Sequence, residues 1–278
     1  MISLRNLSFA YGESPLFHDL HFEVPSGAVC GLLGKNGMGK TTLMKLISGL
    51  RFPHAGQVEV LGVNPADRQP AFLSQVFFLP EVISLPNVSA KSYVGQLAPF
   101  YPHFDSRLFD NLVEEFGLTT KTRLGDLSLG ESRKTMLAFA LAAGCRLLLL
   151  DEPANGLDIP SRKQLRKLLA MGMREDRTII VSTHQVHDIE ALVDSVAILH
   201  DRRIVLNENV ESLSKRLFIG VSSEPPDPAT VLYSERTIGG YSIVKERVAE
   251  PESALDLEGL FQAAINDPNR LQAIFARK

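Results

Sequence analysis

The stretch GKNGMGKT, Gly34 to Thr41, decides the fold of this chain. It matches the pattern G-x-x-x-x-G-K-[ST], in which glycines allow backbone amides to close around phosphate groups. In such a loop the Lys40 ammonium reaches the outer phosphates, and the Thr41 hydroxyl can ligate Mg²⁺. The candidate nucleotide-binding residues are Gly34, Asn36, Gly37, Gly39, Lys40, Thr41 and Thr42.

The segments on both sides of this loop supply the strand and the helix that the pattern requires. AVCGLL, residues 28–33, is a continuous apolar run typical of a buried strand, and apolar residues recur at helical spacing in residues 40–50. RLLLLDEP, TIIVSTH and SVAILH are predicted as further buried strands with helices between them. We therefore expect an α/β fold with a mainly parallel sheet, preceded by strands at residues 2–10 and from residue 20.

The rest of the chain indicates a helical insertion and a tail. The predicted helices lie near residues 89–99, 106–116, 131–143, 160–174 and 185–193. A turn-rich SSEPPDP is followed by a hairpin around Gly239 and Gly240 and by amphipathic helices near the end. We expect a main domain at residues 1–214, with a helical subdomain at about 86–145, and a small α+β appendage at 215–278.

The composition limits the classes of partner. The 278 residues are 45% hydrophobic with a formal net charge of -3, so there is no basic excess and we expect no nucleic-acid partner. The two cysteines, Cys30 and Cys145, are predicted as reduced core residues of a cytosolic protein. No signal peptide is recognisable, and the longest apolar run is shorter than the roughly 20 residues of a membrane span. A membrane role therefore requires a separate spanning chain.

Polar residues follow two of the apolar strands. In an open α/β sheet the ligand binds beyond the carboxyl ends of the strands, so Asp151 and Glu152 are expected beside the phosphate loop. Asp151 can hold Mg²⁺ through water, and Glu152 can accept a proton from an attacking water. His184 ends TIIVSTH at the same edge, where it can contact a γ-phosphate or orient that water. The structural alternatives are an acidic helix start and a histidine without a chemical role.

LSLGES, residues 127–132, has two interpretations. Ser128 and Glu131 fit the S-x-x-E capping box, in which both side chains satisfy free amides at a helix start. A serine, the Gly130 amide and the positive end of a helix are also what a phosphate group binds. These residues alone leave both interpretations open.

Four segments in this order, GKNGMGKTT, LSLGE, LLLLDEPANGLD and STH, resemble the ATP-binding cassette (ABC) ATPases over about residues 1–210. The resemblance implies the fold of a P-loop NTPase, with ATP and Mg²⁺ as ligands. It implies that Lys40 and Thr41 bind phosphate and magnesium. It also implies that Glu152 is the general base and that His184 is the switch histidine.

The signature segment departs from the family pattern, which is usually LSGGQ. Leu129 replaces the first glycine and Glu131 replaces the glutamine. Ser128 and Gly130, which contact phosphate in the family, are kept. The resemblance therefore implies that Ser128, Gly130 and Glu131 bind nucleotide.

Two further positions are assigned by the resemblance. Glu81 in FFLPE takes the place of the family's magnesium-contacting glutamine, which changes the local charge by about one unit. Gln75 is the weaker alternative because it precedes the predicted strand. Tyr11 matches the aromatic residue that stacks on adenine, and an aromatic residue packed in the core is its alternative.

The position of Ser128 suggests a dimer. A helix near residues 131–143 is about 20 Å long at a rise of about 1.5 Å per residue, so we expect Ser128 to lie too far from its own chain's phosphates. In the family, the signature of one subunit closes on the nucleotide of the other, and Asn155–Asp158 matches the loop that crosses this interface. The expected partner is a second copy of the chain or a paralogous ATPase subunit, held by ATP.

The resemblance favours the ATP-hydrolysing subunit of a transporter that drives separate membrane-spanning subunits at the cytoplasmic face of the membrane. SLGE, LPE and the DLEGLF helix resemble bacterial exporter subunits of the drug- and bacitracin-resistance type. The alternative is a soluble ABC ATPase acting on ribosomes or nucleic acid, although such proteins usually carry two cassettes, coiled-coil insertions or zinc modules. LSLGE disfavours a phosphate-loop kinase.

Overall fold

The computed structural model describes residues 1–248, 250, 253 and 255–276, and its elements alternate as expected for an α/β chain. The strands are β1 Ile2–Tyr11, β2 Ser14–Val24, β3 Val29–Leu33, β4 Ala55–Val60, β5 Val76–Leu79, β6 Leu147–Asp151, β7 Thr178–Thr183, β8 Ser195–His200, β9 Arg203–Asn209, β10 Leu217–Ser222, β11 Val231–Thr237 and β12 Gly240–Glu246. The helices are α1 Lys40–Ile47, α2 Pro70–Leu73, α3 Ala90–Leu97, α4 Ser106–Glu115, α5 Leu129–Ala142, α6 Ile159–Met171, α7 Val210–Arg216, α8 Leu257–Asn266 and α9 Pro268–Ala276.

The largest sheet has six strands in the order β5-β6-β7-β3-β8-β9. All of its neighbours pair in parallel except β8 and β9, which are antiparallel. Because β3, β7 and β6 are adjacent and parallel, their carboxyl ends lie side by side at one edge of the sheet. The phosphate loop, the Asp151–Glu152 pair and His184 leave the sheet at this edge, which confirms the predicted fold class.

The apolar runs of the parallel strands are continuous because both faces of the sheet are covered. Leu147 and Leu149 of β6 pack in the apolar cluster that contains α1 and the antiparallel sheet β2-β1-β4. Leu148 and Leu150 point the other way, into the cluster that contains α5, α6, α8 and α9. Each of these leucines is essentially fully buried, and such burial stabilises the fold by about 1.5–3 kcal/mol per side chain.

The predicted helical insertion contains α3, α4 and α5, with α5 held in place by an aromatic cluster. The ring of Phe139 on α5 lies 5.1–6.4 Å from neighbouring rings between centroids. These rings belong to Phe77, Tyr93, Tyr101, Phe104 and Phe109. The cluster fixes α5 against β5 and the rest of the insertion, and so positions the LSLGES segment at its start.

The C-terminal residues form the antiparallel sheet β10-β12-β11 and the helices α8 and α9. The predicted hairpin is confirmed, since β11 and β12 pair around the turn at Ile238–Gly239. Leu260 and Ala263 of α8 and Leu271 of α9 pack in the same apolar cluster as β3 and β6. The division of the chain at residues 214 and 215 stays a prediction.

The helix predicted near residues 185–193 is wrong. Only a single 3-10 turn, Val186–Asp188, forms there. Ile189 and Val193 have helical spacing, but they lie over Gly31 of β3, where a methyl group would meet their side chains at 2.9 and 3.2 Å. The apolar spacing of these two residues therefore reflects their packing against the sheet and not a helix. Within the described part of the chain, no helix has both the length and the apolar character needed to cross a bilayer.

Candidate nucleotide-binding site

A cleft of about 490 Å³ opens at the carboxyl edge of the sheet, between the loop after β3 and the end of β6. It brings together most of the predicted site residues, from four separate parts of the sequence. These residues are Tyr11, Asn36, Gly37, Gly39, Lys40, Thr41, Thr42, Glu81, Asp151 and Glu152. Gly34 and His184 line a smaller cavity together with Phe261 of α8, and this cavity shares Lys35 with the cleft.

Lys40 is the first residue of α1 and is 6% exposed. Its Nζ donates to the carbonyl oxygen of Gly34 at 2.6 Å and to that of Lys35 at 3.4 Å. The same nitrogen lies 3.5 Å from Oε1 of Glu152. The ammonium is therefore held at the positive end of a helix, beside the free amides that bind anions.

Two glycines shape the loop. Gly37 and Gly39 have φ angles of 80° and 107°, which residues with a side chain rarely adopt. A Cβ atom at Gly39 would also lie 2.7 Å from the ring of Phe17. Glycine is therefore required for the backbone to turn into α1 at this point.

Asp151 is fully buried between two hydroxyl groups. Thr41 Oγ1 donates to Oδ2 at 2.6 Å, and Ser182 Oγ donates to Oδ1. The Thr41 hydroxyl and the Asp151 carboxylate are the oxygen donors that Mg²⁺ prefers, so the residues present fit the predicted metal. Among the described residues, no group of three or more His, Cys, Asp and Glu side chains could hold a metal by itself. A magnesium ion here would complete its coordination with phosphate oxygens and water.

Glu152 is 5% exposed and has the unusual φ angle of 47°. A residue with a side chain in this region costs on the order of 1–3 kcal/mol, so the surrounding structure must hold it. Its Oε1 lies 2.9 Å from Nδ1 of His184. The structure thus places the predicted base and the predicted switch histidine in direct contact, and Lys40 approaches the same oxygen.

Glu81 lies at the wall of the cleft, as predicted. Its Oε1 accepts a hydrogen bond of 2.9 Å from Nδ2 of Asn155. Gln75 stands at the opposite end of β5, where its side chain bonds Ala71 and Arg146. Because β5 runs parallel to β6, Gln75 is at the far edge of the sheet from Asp151 and cannot take the role left open for it.

Tyr11 ends β1 and is 47% exposed, so the alternative of a core aromatic residue is wrong. Its hydroxyl lies 3.1 Å from Oγ1 of Thr42, and the guanidinium of Arg51 lies 6.0 Å from the ring centroid. Burial raises the pKa of Tyr11, but the bonds to Thr42 and Arg51 and the charge of Lys45 outweigh it and leave the pKa lowered. The ring is therefore available at the cleft for stacking on a planar base.

The capping interpretation of LSLGES is confirmed. Ser128 is the N-cap of α5, its backbone nitrogen and hydroxyl donate to Oε2 of Glu131 at 2.9 and 2.7 Å, and its Oγ accepts from the Glu131 amide at 3.3 Å. The bonds from the Ser128 hydroxyl and amide hold the pKa of Glu131 below its usual value. Among the described residues that line the cleft, none belongs to LSLGES. Gly130 instead lies beside the loop after Glu152, where a methyl group on it would be 3.3 Å from the Gly156 carbonyl oxygen.

The length of α5 is not the reason why Ser128 lies outside the cleft, contrary to the expectation from the sequence. α5 packs on β5, and Arg133 on its second turn donates to the carbonyl oxygen of Glu152, directly after β6. The start of α5 is therefore near the end of β6, yet none of its residues is among the described residues that line the cleft, and Ser128 and Leu129 are exposed.

Two residues of the site were missed in the sequence. Ser182 bonds the buried carboxylate of Asp151, and Arg133 bonds the backbone of Glu152 and Glu81. The available signals were a hydroxyl residue inside the apolar strand TIIVSTH and an arginine on the side of α5 that is otherwise apolar. Neither signal identifies the residue to which the side chain bonds, which lies 19 residues or more away in sequence.

A phosphate loop, a carboxylate pair with a histidine at the same sheet edge, and a capped LSLGE helix define a P-loop ATPase of the ATP-binding cassette class. The sequence profile described as ABC transporter matches residues 17–155, half of the chain. The chain belongs to the ABC transporter family as an ATP-binding subunit, and it is an ATPase that powers transport.

Similar proteins agree with this assignment. The bacitracin transport ATP-binding protein BcrA of Bacillus licheniformis is 30% identical over 93% of this chain and 87% of its own length. The Nod factor export ATP-binding protein I of Rhizobium meliloti is 33% identical over 71% of this chain and 61% of its own length. A solved ATP-binding subunit of an ABC transporter has a TM-score of 0.71 at 26% identity, covering 77% of this chain and 91% of that chain.

Proposed function

We propose that this chain is the ATP-hydrolysing subunit of an exporter and that it dimerises on ATP, with a second copy or with a paralogous subunit. The observation that carries the dimer is the position of the signature segment. Its capped helix start is exposed, and none of its residues is among the described residues that line the cleft. A helix start can bind phosphate, and an exposed one outside its own chain's cleft is free to meet the nucleotide of a second chain, which supports the dimer.

The positions of the residues in the cleft support separate roles in binding ATP, holding the metal and accepting a proton. Lys40 and the amides at the start of α1 bind the outer phosphates, and the exposed ring of Tyr11 stacks on adenine. Thr41 and Asp151 would hold Mg²⁺, which would neutralise phosphate charge when bound. Glu152 accepts the proton of the attacking water, a role worth about 10²–10⁴-fold in rate.

His184 and Glu81 complete the proposed machinery. The 2.9 Å contact between His184 Nδ1 and Glu152 Oε1 supports a role for His184 in orienting the base and the attacking water. Glu81 is bonded to Asn155, in the loop that matches the family's dimer-crossing segment. This bond supports a role for Glu81 that links the metal site to the subunit interface.

A separate groove supports a membrane-spanning partner. It has a volume of about 690 Å³ and lies between α2 and the segment after α3. Its walls are mostly apolar and include Leu73, Pro99, Tyr101 and Phe100, which is 69% exposed. Because the helical insertion docks on the membrane partner in the resembling family, we assign this groove to a cytoplasmic segment of that partner. This arrangement places the chain at the cytoplasmic face of the membrane through its partner.

Export rather than import is supported by one relative whose name states export and by the SLGE signature of the chain. The alternative of a soluble ATPase acting on ribosomes or nucleic acid receives no comparable support from the chain's net charge of -3.

Co-purification tests the proposed partner. Phe100→Asp places a charge in the apolar groove. The control, Ile238→Asp, places the same charge at a fully exposed turn outside the groove. We expect Phe100→Asp to lower recovery of a membrane-spanning chain from solubilised cells by about tenfold or more, since a buried unpaired charge is strongly unfavourable. The ATPase rate of the isolated subunit should not change, and Ile238→Asp should affect neither quantity. Recovery of ribosomes or nucleic acid in place of a membrane chain would favour the alternative.

A further inference from the structure

Arg133 is a buried cation whose position the reaction described above does not explain. It lies on the second turn of α5 and is 2% exposed. Its Nη1 donates to the carbonyl oxygen of Glu152, and its Nη2 donates to that of Glu81. Its Nε has no hydrogen-bond partner among the described residues.

Burying this guanidinium is unfavourable, so its surroundings have to stabilise it. Burial lowers the pKa of Arg133, while the nearby carboxylates of Glu81, Asp151 and Glu152 act in the opposite direction. The group remains charged, since an arginine is protonated at any ordinary pH. Its planar fork is directed at two backbone carbonyls, which suits positioning of the chain better than pairing of charge.

The backbone of Glu152 is held by hydrogen bonds at both its amide and its carbonyl group. The Glu152 amide donates to the carbonyl oxygen of Ser182 at 3.1 Å and to the Ser182 hydroxyl at 3.2 Å. Its carbonyl accepts from Arg133 and, at 3.1 Å, from the amide of Asn155. Its φ angle of 47° is sparsely populated and therefore depends on such contacts. The direction in which the Glu152 carboxylate points toward Lys40 and His184 follows from this backbone.

Arg133 also connects segments that are distant in sequence. Through its two bonds, α5 is tied to the segment after β5 and to the turn after β6. Asn155 closes the same network, because its amide bonds Glu152 and its side chain bonds Glu81.

We propose that Arg133 is a positioning residue for ATP hydrolysis, which aims the Glu152 carboxylate by holding the Glu152 and Glu81 carbonyls against α5. The proposal rests on the proposed role of Glu152 as the general base. It does not depend on the exporter assignment or on the identity of the second subunit.

A second buried arginine provides the control. Arg177 is 4% exposed and donates to the carbonyl oxygens of Cys145 at 3.0 Å, Gly172 at 2.8 Å and Leu141 at 3.4 Å. It stands at the amino end of β7, the end opposite to His184. Arg133→Lys and Arg177→Lys therefore each replace a buried guanidinium that donates to backbone carbonyls, two near the cleft for Arg133 and three far from it for Arg177.

The test compares turnover, ATP affinity and thermal stability in these variants of the full chain. We expect Arg133→Lys to lower kcat by about tenfold or more with the ATP Kd changed less than about threefold, because binding groups stay in place. Arg177→Lys should lower the melting temperature to a similar extent and keep kcat within about twofold. Arg133→Gln, which loses the charge and leaves a shorter side chain with one amide group, should lower kcat at least as far and replaces the lysine variant should that one not fold.

A double-mutant cycle with Glu152→Gln separates positioning from general damage. Once the base is gone, Arg133→Lys should cause no further loss in single-turnover hydrolysis, whereas Arg177→Lys should act independently. A kcat for Arg133→Lys near that of the wild type, or equal losses with and without Glu152, would overturn the proposal. Normal hydrolysis by Glu152→Gln itself would reject the proposed base, and with it the role of Arg133. An inactive Glu152→Gln with a fully active Arg133→Lys would reject the role of Arg133 alone.

Discussion

At the residue scale, the side chains around the cleft come from two kinds of position. Lys40, Thr41 and Asp151 lie in one cleft and belong to local patterns with fixed spacings, a phosphate loop and a strand-end carboxylate, which predicted them. Arg133 and Ser182 were missed because their roles come from contacts with Glu152 and Asp151, which no local spacing encodes. Their partners become neighbours only after the sheet has formed.

The clearest prediction at this scale concerns Lys40. Lys40→Ala removes a buried ammonium from the positive end of α1, so we expect ATP affinity to fall by about 10–100-fold, the worth of one charged hydrogen bond. Titration calorimetry with ATP measures the change. Lys91→Ala, on the exposed side of α3, is the control and should bind ATP like the wild type. An ATP affinity for Lys40→Ala within about twofold of the wild type would refute the phosphate-loop assignment.

At the element scale, helix ends were predicted better than helical periods. The capping box at Ser128 and Glu131 forms as its S-x-x-E spacing indicates, because both partners lie within one turn. The helix expected near residues 185–193 does not form, because the apolar spacing of Ile189 and Val193 serves contacts with β3. A local hydrogen bond can be predicted because both partners are close in sequence. Apolar spacing alone does not identify the element against which a side chain packs.

The capping box has a pH dependence of known sign. The Ser128 bonds lower the pKa of Glu131 in the folded chain, so its contribution to stability is present above the pKa of an unfolded glutamate, about 4.3. The contribution is lost as the pH falls through the lower folded value. Glu131→Gln should therefore be less stable than the wild type at neutral pH, with a smaller difference in acid, as measured by denaturant unfolding. Glu114→Gln, on the exposed side of α4, is the control; a difference for Glu131→Gln that grows in acid would contradict the assignment.

At the scale of the whole molecule, the parallel order of β6, β7 and β3 explains how residues far apart in sequence share one edge. The run of strands and helices predicted this class of sheet, and the rule for strand ends predicted the edge. The orientation of α5 could not be predicted in the same way. Its distance from the cleft was inferred from helix length, but its direction is set by aromatic packing around Phe139.

In the proposed function, ATP joins two chains through the exposed signature of each. Sedimentation velocity of the Glu152→Gln variant with and without MgATP tests it most directly, because loss of the base slows hydrolysis while the groups proposed to bind ATP are kept. We predict a monomer without nucleotide and a dimer at saturating ATP, with Ser128→Ala preventing the dimer and Glu131→Gln retaining it. A Glu152→Gln variant that binds ATP and remains monomeric would contradict the account.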